Sequence, residues 1–106
     1  MLLLNAFSFN MVSVDVGYIR FDELSVGEAI TLCHELSITS GVGHADTAAV
    51  FGQQLGIDVP MARISVSLEY GDCALVGQYS GPRLPEGATA LPDGAAIRWL
   101  FVRVQR

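Results

Sequence analysis

At 106 residues, 51% apolar and 16% charged, the chain has the size and composition expected of one folded domain, residues 1–106 with no second domain, and it excludes a disordered or nucleic-acid-tail composition. Eleven acidic residues against six arginines, with no lysine, give a net charge of −5. That excludes tracking along a long DNA or RNA, where many phosphates must be neutralised, but leaves room for a small anion held by a few placed donors.

The opening MLLLNAFSFNMV is apolar, but it has no basic leader and Asn5 interrupts its apolar run after Leu4. It predicts a buried strand over residues 1–7. A membrane helix needs roughly 18–20 consecutive apolar residues and no stretch approaches that, so a soluble, cytoplasmic protein without membrane contact is expected. In GYIRF, residues 17–21, apolar Ile19 and Phe21 alternate with Tyr18, Arg20 and Asp22, which predicts a short second strand. The period then changes. Ser25 and Glu28 stand in capping-box spacing, and Ile30, Leu32, Cys33 and Leu36 form a helical apolar face, so a first helix is expected to end near Leu36.

SITSGVG reads as a loop, and a second helix is expected from about His44 to Leu55, with Ala48, Phe51 and Leu55 on one stripe and Gly56 as its stop. Pro60 ends any helical continuation. RISVSLEY alternates Ile64, Val66 and Leu68 with polar neighbours, and Gly71–Asp72 leads into CALVGQY, which together predict a hairpin. Residues 80–94 are rich in Gly and Pro and predict an ordered surface loop with turns at Pro82, Pro85 and Asp93–Gly94. AIRWLFVRV, apolar on both faces from Trp99 to Val102, predicts a central strand covered on one face and buried on the other by helices or a second subunit. The fold class expected is α+β, a mixed and mostly antiparallel sheet of about five strands with two helices.

Cys33 and Cys73 stand apart without a CxxC, and the two histidines are distant from any acidic cluster, so neither a disulfide, a metal site nor a cofactor is expected. Any chemistry then falls to side chains. His44 sits where a helix start offers unpaired amides and the positive end of the dipole, with Gly41 and Gly43 leaving space for a phosphate to approach. Taken by spacing alone, the glycines shape a tight loop and the histidine caps or packs, and that reading is the favoured one. In PRLPEG, Arg83 and Glu86 lie three apart in a stiff turn, fit for a phosphate and a hydroxyl or for an exposed ion pair with each other. Asn5, Ser8 and Asn10 follow the first strand and either meet a ligand or simply end the strand, and Gln78 reaches the same edge or points to solvent. His34 is expected on the solvent side of the first helix. One acid candidate, one phosphate-binding arginine, one carboxylate and several amides and hydroxyls suit metal-free RNA cleavage, and suit simple binding equally well.

The order of the motifs LNAFSFNM, LSVGEAI, ITSGVGHADTAAVFGQQLG, VPMARISVSLEYGDCALVGQY and RLPEG resembles the viral anti-CRISPR ring-nuclease family, whose cellular relatives accompany type III CRISPR systems. The resemblance runs nearly the whole way to Gly87. It implies a homodimer that binds cyclic tetra-adenylate across its two-fold axis and cuts it, without metal, into linear di-adenylates with 2′,3′-cyclic phosphate ends, switching off type III CRISPR signalling. It further implies His44, Arg83 and Glu86 as catalytic residues, and Asn5, Ser8, Asn10, Gly43 and Gln78 as ligand contacts. The alternatives are a sponge that sequesters a cyclic oligonucleotide without cutting it, a ring nuclease of different ring size, and a protein that uses its dimer surface for a protein partner.

Overall fold

The computed structural model describes residues 1–106. Its strands are β1 (Leu2–Leu4), β2 (Tyr18–Leu24), β3 (Thr39–Ser40), β4 (Cys73–Ser80) and β5 (Ala96–Gln105), and its helices are α1 (Val26–Glu35) and α2 (Ala45–Leu55). One five-stranded sheet runs β2-β5-β4-β1-β3. β1 pairs parallel with both β3 and β4, while β5 pairs antiparallel with both β2 and β4. The expected α+β class, with a mixed sheet of five strands and two helices, is the observed one. No helix is long and apolar enough to cross a membrane.

Both helices form where the local signals place them. Ser25 Oγ accepts from the Glu28 amide while the Glu28 carboxylate accepts from the Ser25 amide, so two otherwise unpaired amides of α1 are satisfied. Gly56, at φ 68°, ends α2 in the left-handed region open to glycine. Ala48, Phe51 and Leu55 are buried as the stripe predicts, His34 is exposed, and Cys33 lies in the core, where burial pushes its thiol pKa up. Leu36 departs from the expected face and is exposed.

The sheet separates two apolar layers, because successive side chains on a strand point to opposite faces. Leu3, Leu75 and Trp99 meet Ala29 and Cys33 of α1 and Ala48, Phe51 and Leu55 of α2. Leu4, Ala74, Val76 and Val102 face the other way, against Phe7, Met11, Ile19, Val66 and Leu100. Gly77 makes the helix layer possible, since Phe51 and Trp99 pack edge to face across it with centroids 4.9 Å apart.

Three expectations are corrected. The hairpin of residues 63–70 with β4 does not form: β4 already has β1 on one side and β5 on the other, so no ladder edge is free. The Gly71–Asp72 turn is tied to β5 instead, and the 61–68 segment crosses the open face outside any ladder, held at one end by the Ala62 amide on the Val42 carbonyl and at the other by an isolated parallel bridge between Leu68 and Val12. Its place as fifth strand is taken by β3 inside the segment expected to be a loop, held by the Thr39 amide on the Met1 carbonyl and the Gly41 amide on the Leu3 carbonyl. Strand boundaries also move: β1 stops at Leu4, short of residue 7, and β2 continues to Leu24. Arg20 and Arg103 face each other across β2 and β5, and Asp22 accepts from both, at 3.2 and 3.0 Å, which removes a like-charge conflict that would shorten the pairing.

Candidate active site

β3, β1 and β4 run parallel, so their carboxyl ends emerge side by side along one end of the sheet. That is where open α/β sheets gather their ligand groups. From β3 the chain reaches His44, from β1 it reaches Asn5, and from β4 it passes Gln78 and Tyr79 into the loop bearing Arg83 and Glu86.

His44, Arg83 and Glu86, 42 positions apart at the extremes (44 to 86), line one open cleft of about 800 Å³ together with Asp46, Thr47, Tyr79, Leu84 and Pro85. His44 is the N-cap residue of α2, yet its side chain makes no capping hydrogen bond and it is exposed. The imidazole neither caps nor packs, which removes the two roles that spacing alone favoured. Arg83 and Glu86 are likewise exposed and form no ion pair with each other, so the guanidinium and the carboxylate are both open to a ligand.

Asn5 and Gln78 lie elsewhere. They line a second cavity of about 570 Å³ on the sheet's open face, floored by Ile19, Val76, Leu100 and Val102 and rimmed by Phe7, Phe9, Phe21 and Arg98. Gln78 and Tyr79 are consecutive on β4, so one faces each cavity from opposite sides of the sheet. Ser8 and Asn10 line neither cavity. Because β1 ends at Leu4, the chain turns away after Asn5, and Ser8 and Asn10 belong to an exposed 3-10 turn at Phe9–Met11.

The two glycines beside His44 have different surroundings. A Cβ at Gly41 would stand 2.7 Å from Leu4 Cδ2, so this glycine serves packing against β1. The space beside Gly43 is bounded by the Arg63 stem, and Arg63 Nε donates to the Gly43 carbonyl at 3.1 Å. Arg63 therefore brings a cation next to the His44 backbone, a role hidden while its segment read as a strand. Three further residues shape the site without a sequence signal. Tyr79 Oη donates to the Pro82 carbonyl, the Gly87 amide donates to Asp46 Oδ1 at 3.0 Å, and Arg98 reaches Gln78 Oε1 at 3.5 Å while pairing with Glu23.

Residues 1–94 match the family model described as STIV B116-like, which spans the sheet's parallel half, both helices and the part of the loop carrying Arg83 and Glu86. The chain belongs to the STIV B116-like family. Within that family, B116 of Sulfolobus turreted icosahedral virus (STIV) has a solved structure that superposes with a TM-score of 0.78 at 27% sequence identity, over 96% of this chain and 97% of that one. No curated protein matches the chain. The B116-like model ends at residue 94, so β5, which completes the antiparallel half of the sheet, lies beyond the matched region while sharing the B116 fold.

Proposed function

We propose that this protein is a metal-independent ring nuclease that binds cyclic tetra-adenylate and cleaves it to linear di-adenylates, acting in the cytoplasm to end type III CRISPR signalling. The observation that carries this reading is the meeting of an uncommitted histidine, an unpaired arginine and an unpaired carboxylate in one cleft, from segments about 40 residues apart in sequence.

The reaction asks little of the protein. A 2′-oxygen bonds to the adjacent phosphorus, the bond from phosphorus to the 5′-oxygen breaks, and the net proton movement is from the 2′-oxygen to the 5′-oxygen. No water and no redox partner are consumed. His44, as imidazolium, gives its proton to the leaving 5′-oxygen, and Arg83 stabilises the charge that gathers on the phosphoryl oxygens. Glu86 accepts a hydrogen bond from the attacking 2′-hydroxyl or from Arg83 and so fixes the in-line geometry. After transfer the 2′-hydroxyl proton passes to solvent and restores the imidazolium through the buffer.

A ring of four phosphates is two-fold symmetric, and a two-fold dimer offers two histidines and two arginines to it despite the negative net charge. The open face supports that assembly: Phe9 and Phe21 are 75% and 62% exposed on an apolar floor, which a lone domain seldom leaves to water. On this reading Asn5 and Gln78, at the margin of that face, meet the ligand where the two copies join. Incubation with cyclic tri-, tetra- and hexa-adenylate in EDTA, followed by chromatography, tests the proposal. Di-adenylate from the four-membered ring is expected. Saturable binding without product supports the sponge, and no thermal shift with any ring supports a protein-binding role.

A further inference from the structure

We propose that Asp46 is a positioning residue of this cleft, a latch that holds the Arg83–Glu86 turn against the start of α2, and that it does so at a cost in affinity for the anionic ligand. The inference rests on the function proposed above. The loop between β4 and β5 spans residues 81–95, and a free segment of that length samples many arrangements. Inside it, the Ala88 amide donates to the Pro85 carbonyl at 3.1 Å, closing a four-residue turn with Glu86 at its second position and Gly87, at φ 78°, at its third. A positive φ there is the signature of a type II turn, which any residue but glycine enters with strain. Such a turn leaves the amide of its third residue without an internal partner.

Asp46 takes that amide at 3.0 Å, from 41 residues away. It is the one hydrogen bond between the loop and α2. Glu86 is thereby fixed one residue from an anchored atom, and Arg83 lies on the same short stretch, also restrained at Pro82 by Tyr79. Asp46 stands two residues past His44 in the first turn of α2, so a single side chain sets the spacing between the histidine and the two loop groups. Its carboxylate is also a negative charge lining a cleft meant for a phosphodiester, and the two effects pull in opposite directions. Loop order favours the reaction, and charge opposes binding.

Two substitutions separate them. Asp46→Ala removes latch and charge, and Asp46→Asn removes the charge but keeps an oxygen acceptor for the Gly87 amide. In Asp46→Ala the Gly87 amide is expected to exchange with solvent at least about ten-fold faster than in wild type. Its single-turnover rate on cyclic tetra-adenylate in EDTA is expected to fall by roughly ten- to a hundred-fold, a misplacement effect, with a smaller change in Kd. Asp46→Asn is expected to restore the rate and to bind the ring about two- to five-fold more tightly than wild type at low salt, a gain that fades as salt is raised. Wild-type rates in Asp46→Ala, or an equal loss in Asp46→Asn, overturn the proposal. If the wild-type protein does not cleave the ring, the function and the catalytic part of this inference both fail. The exchange rate of Gly87 in Asp46→Ala then decides on its own whether the latch exists, and an unchanged rate overturns it.

Discussion

Gly77→Ala measures how tightly α2, and with it His44, is held to the strand that leads to Arg83. Gly77 pairs with Trp99 across β4 and β5, and an added Cβ would lie 2.5 Å from Phe51 Cζ, 2.7 Å from Phe51 Cε2 and 2.7 Å from Trp99 Cζ3. Carbon atoms rest at about 3.5–4.0 Å, so each contact is short by about 1 Å. Gly77 does not have a positive φ, so the backbone itself accepts alanine. On the unfolded side alanine stabilises by about 0.4–1 kcal/mol. Overpacking a core costs about 1–3 kcal/mol, so the steric loss wins by on the order of 1–2 kcal/mol. For a domain of this size that is a fall in Tm of about 4–15 °C, read by circular dichroism. Pairing it with Phe51→Leu, which withdraws the ring, is expected to recover part of the loss caused by the alanine, a coupling between neighbours in contact. A Tm at or above wild type, or strictly additive effects in the double variant, refutes the close contact between Phe51 and β4.

Acid stability follows from two carboxylates. Arg20 foremost, with Arg103, holds the Asp22 carboxyl below its usual range, and the Ser25 backbone amide, aided by the Ser25 side chain, does the same for Glu28. A carboxyl whose folded pKa is depressed adds stability above its unfolded value, near pH 4, and loses it as pH falls through the folded value. Tm should therefore drop as pH is lowered below about 4, and Glu28→Gln should flatten that slope; an unchanged slope removes Glu28 from the account. If the chain pairs through its open face as proposed, wild type sediments as a dimer and Phe21→Asp shifts it toward monomer while the Tm of the monomer stays within a few degrees. A monomeric wild type removes the proposed dimer, and a dimer that Phe21→Asp leaves intact moves the interface elsewhere.

Much of the fold is written in short-range chemistry. The Ser25–Glu28 box, the Ala48–Phe51–Leu55 stripe and Gly56 each depend on neighbours within one or two turns, and all are seen where the pattern places them. The errors share a different cause. RISVSLEY has the alternation of a strand, but a strand also needs a free edge, and β4 has none to give. Thr39 and Ser40 form β3 only because β1 is beside them, a partner 37 residues away by register, Leu2 to Thr39. At the site, His44, Arg83 and Glu86 were legible as chemical types and their convergence in one cleft was not derivable from spacing. Asp46 was invisible for the same reason: its partner is a backbone amide 41 residues further on, and no side-chain pattern marks an amide. Ser8 and Asn10 line neither cavity of the single chain, because β1 ends at Leu4 and the residues after it turn into a 3-10 segment, an end that the apolar pattern of residues 1–7 does not mark.

Single-turnover incubation of cyclic tetra-adenylate with wild type and with His44→Ala, both in EDTA, tests the central claim most directly. If His44 is the proton donor, wild type yields di-adenylate with a 2′,3′-cyclic phosphate and the variant is slower by about 10²–10⁴-fold, the usual span for losing a positioned general acid. Ring binding by the variant stays near wild type, because the imidazole is exposed and holds no part of the fold. Equal rates in the two proteins, or no cleavage by wild type at saturating protein, contradict it.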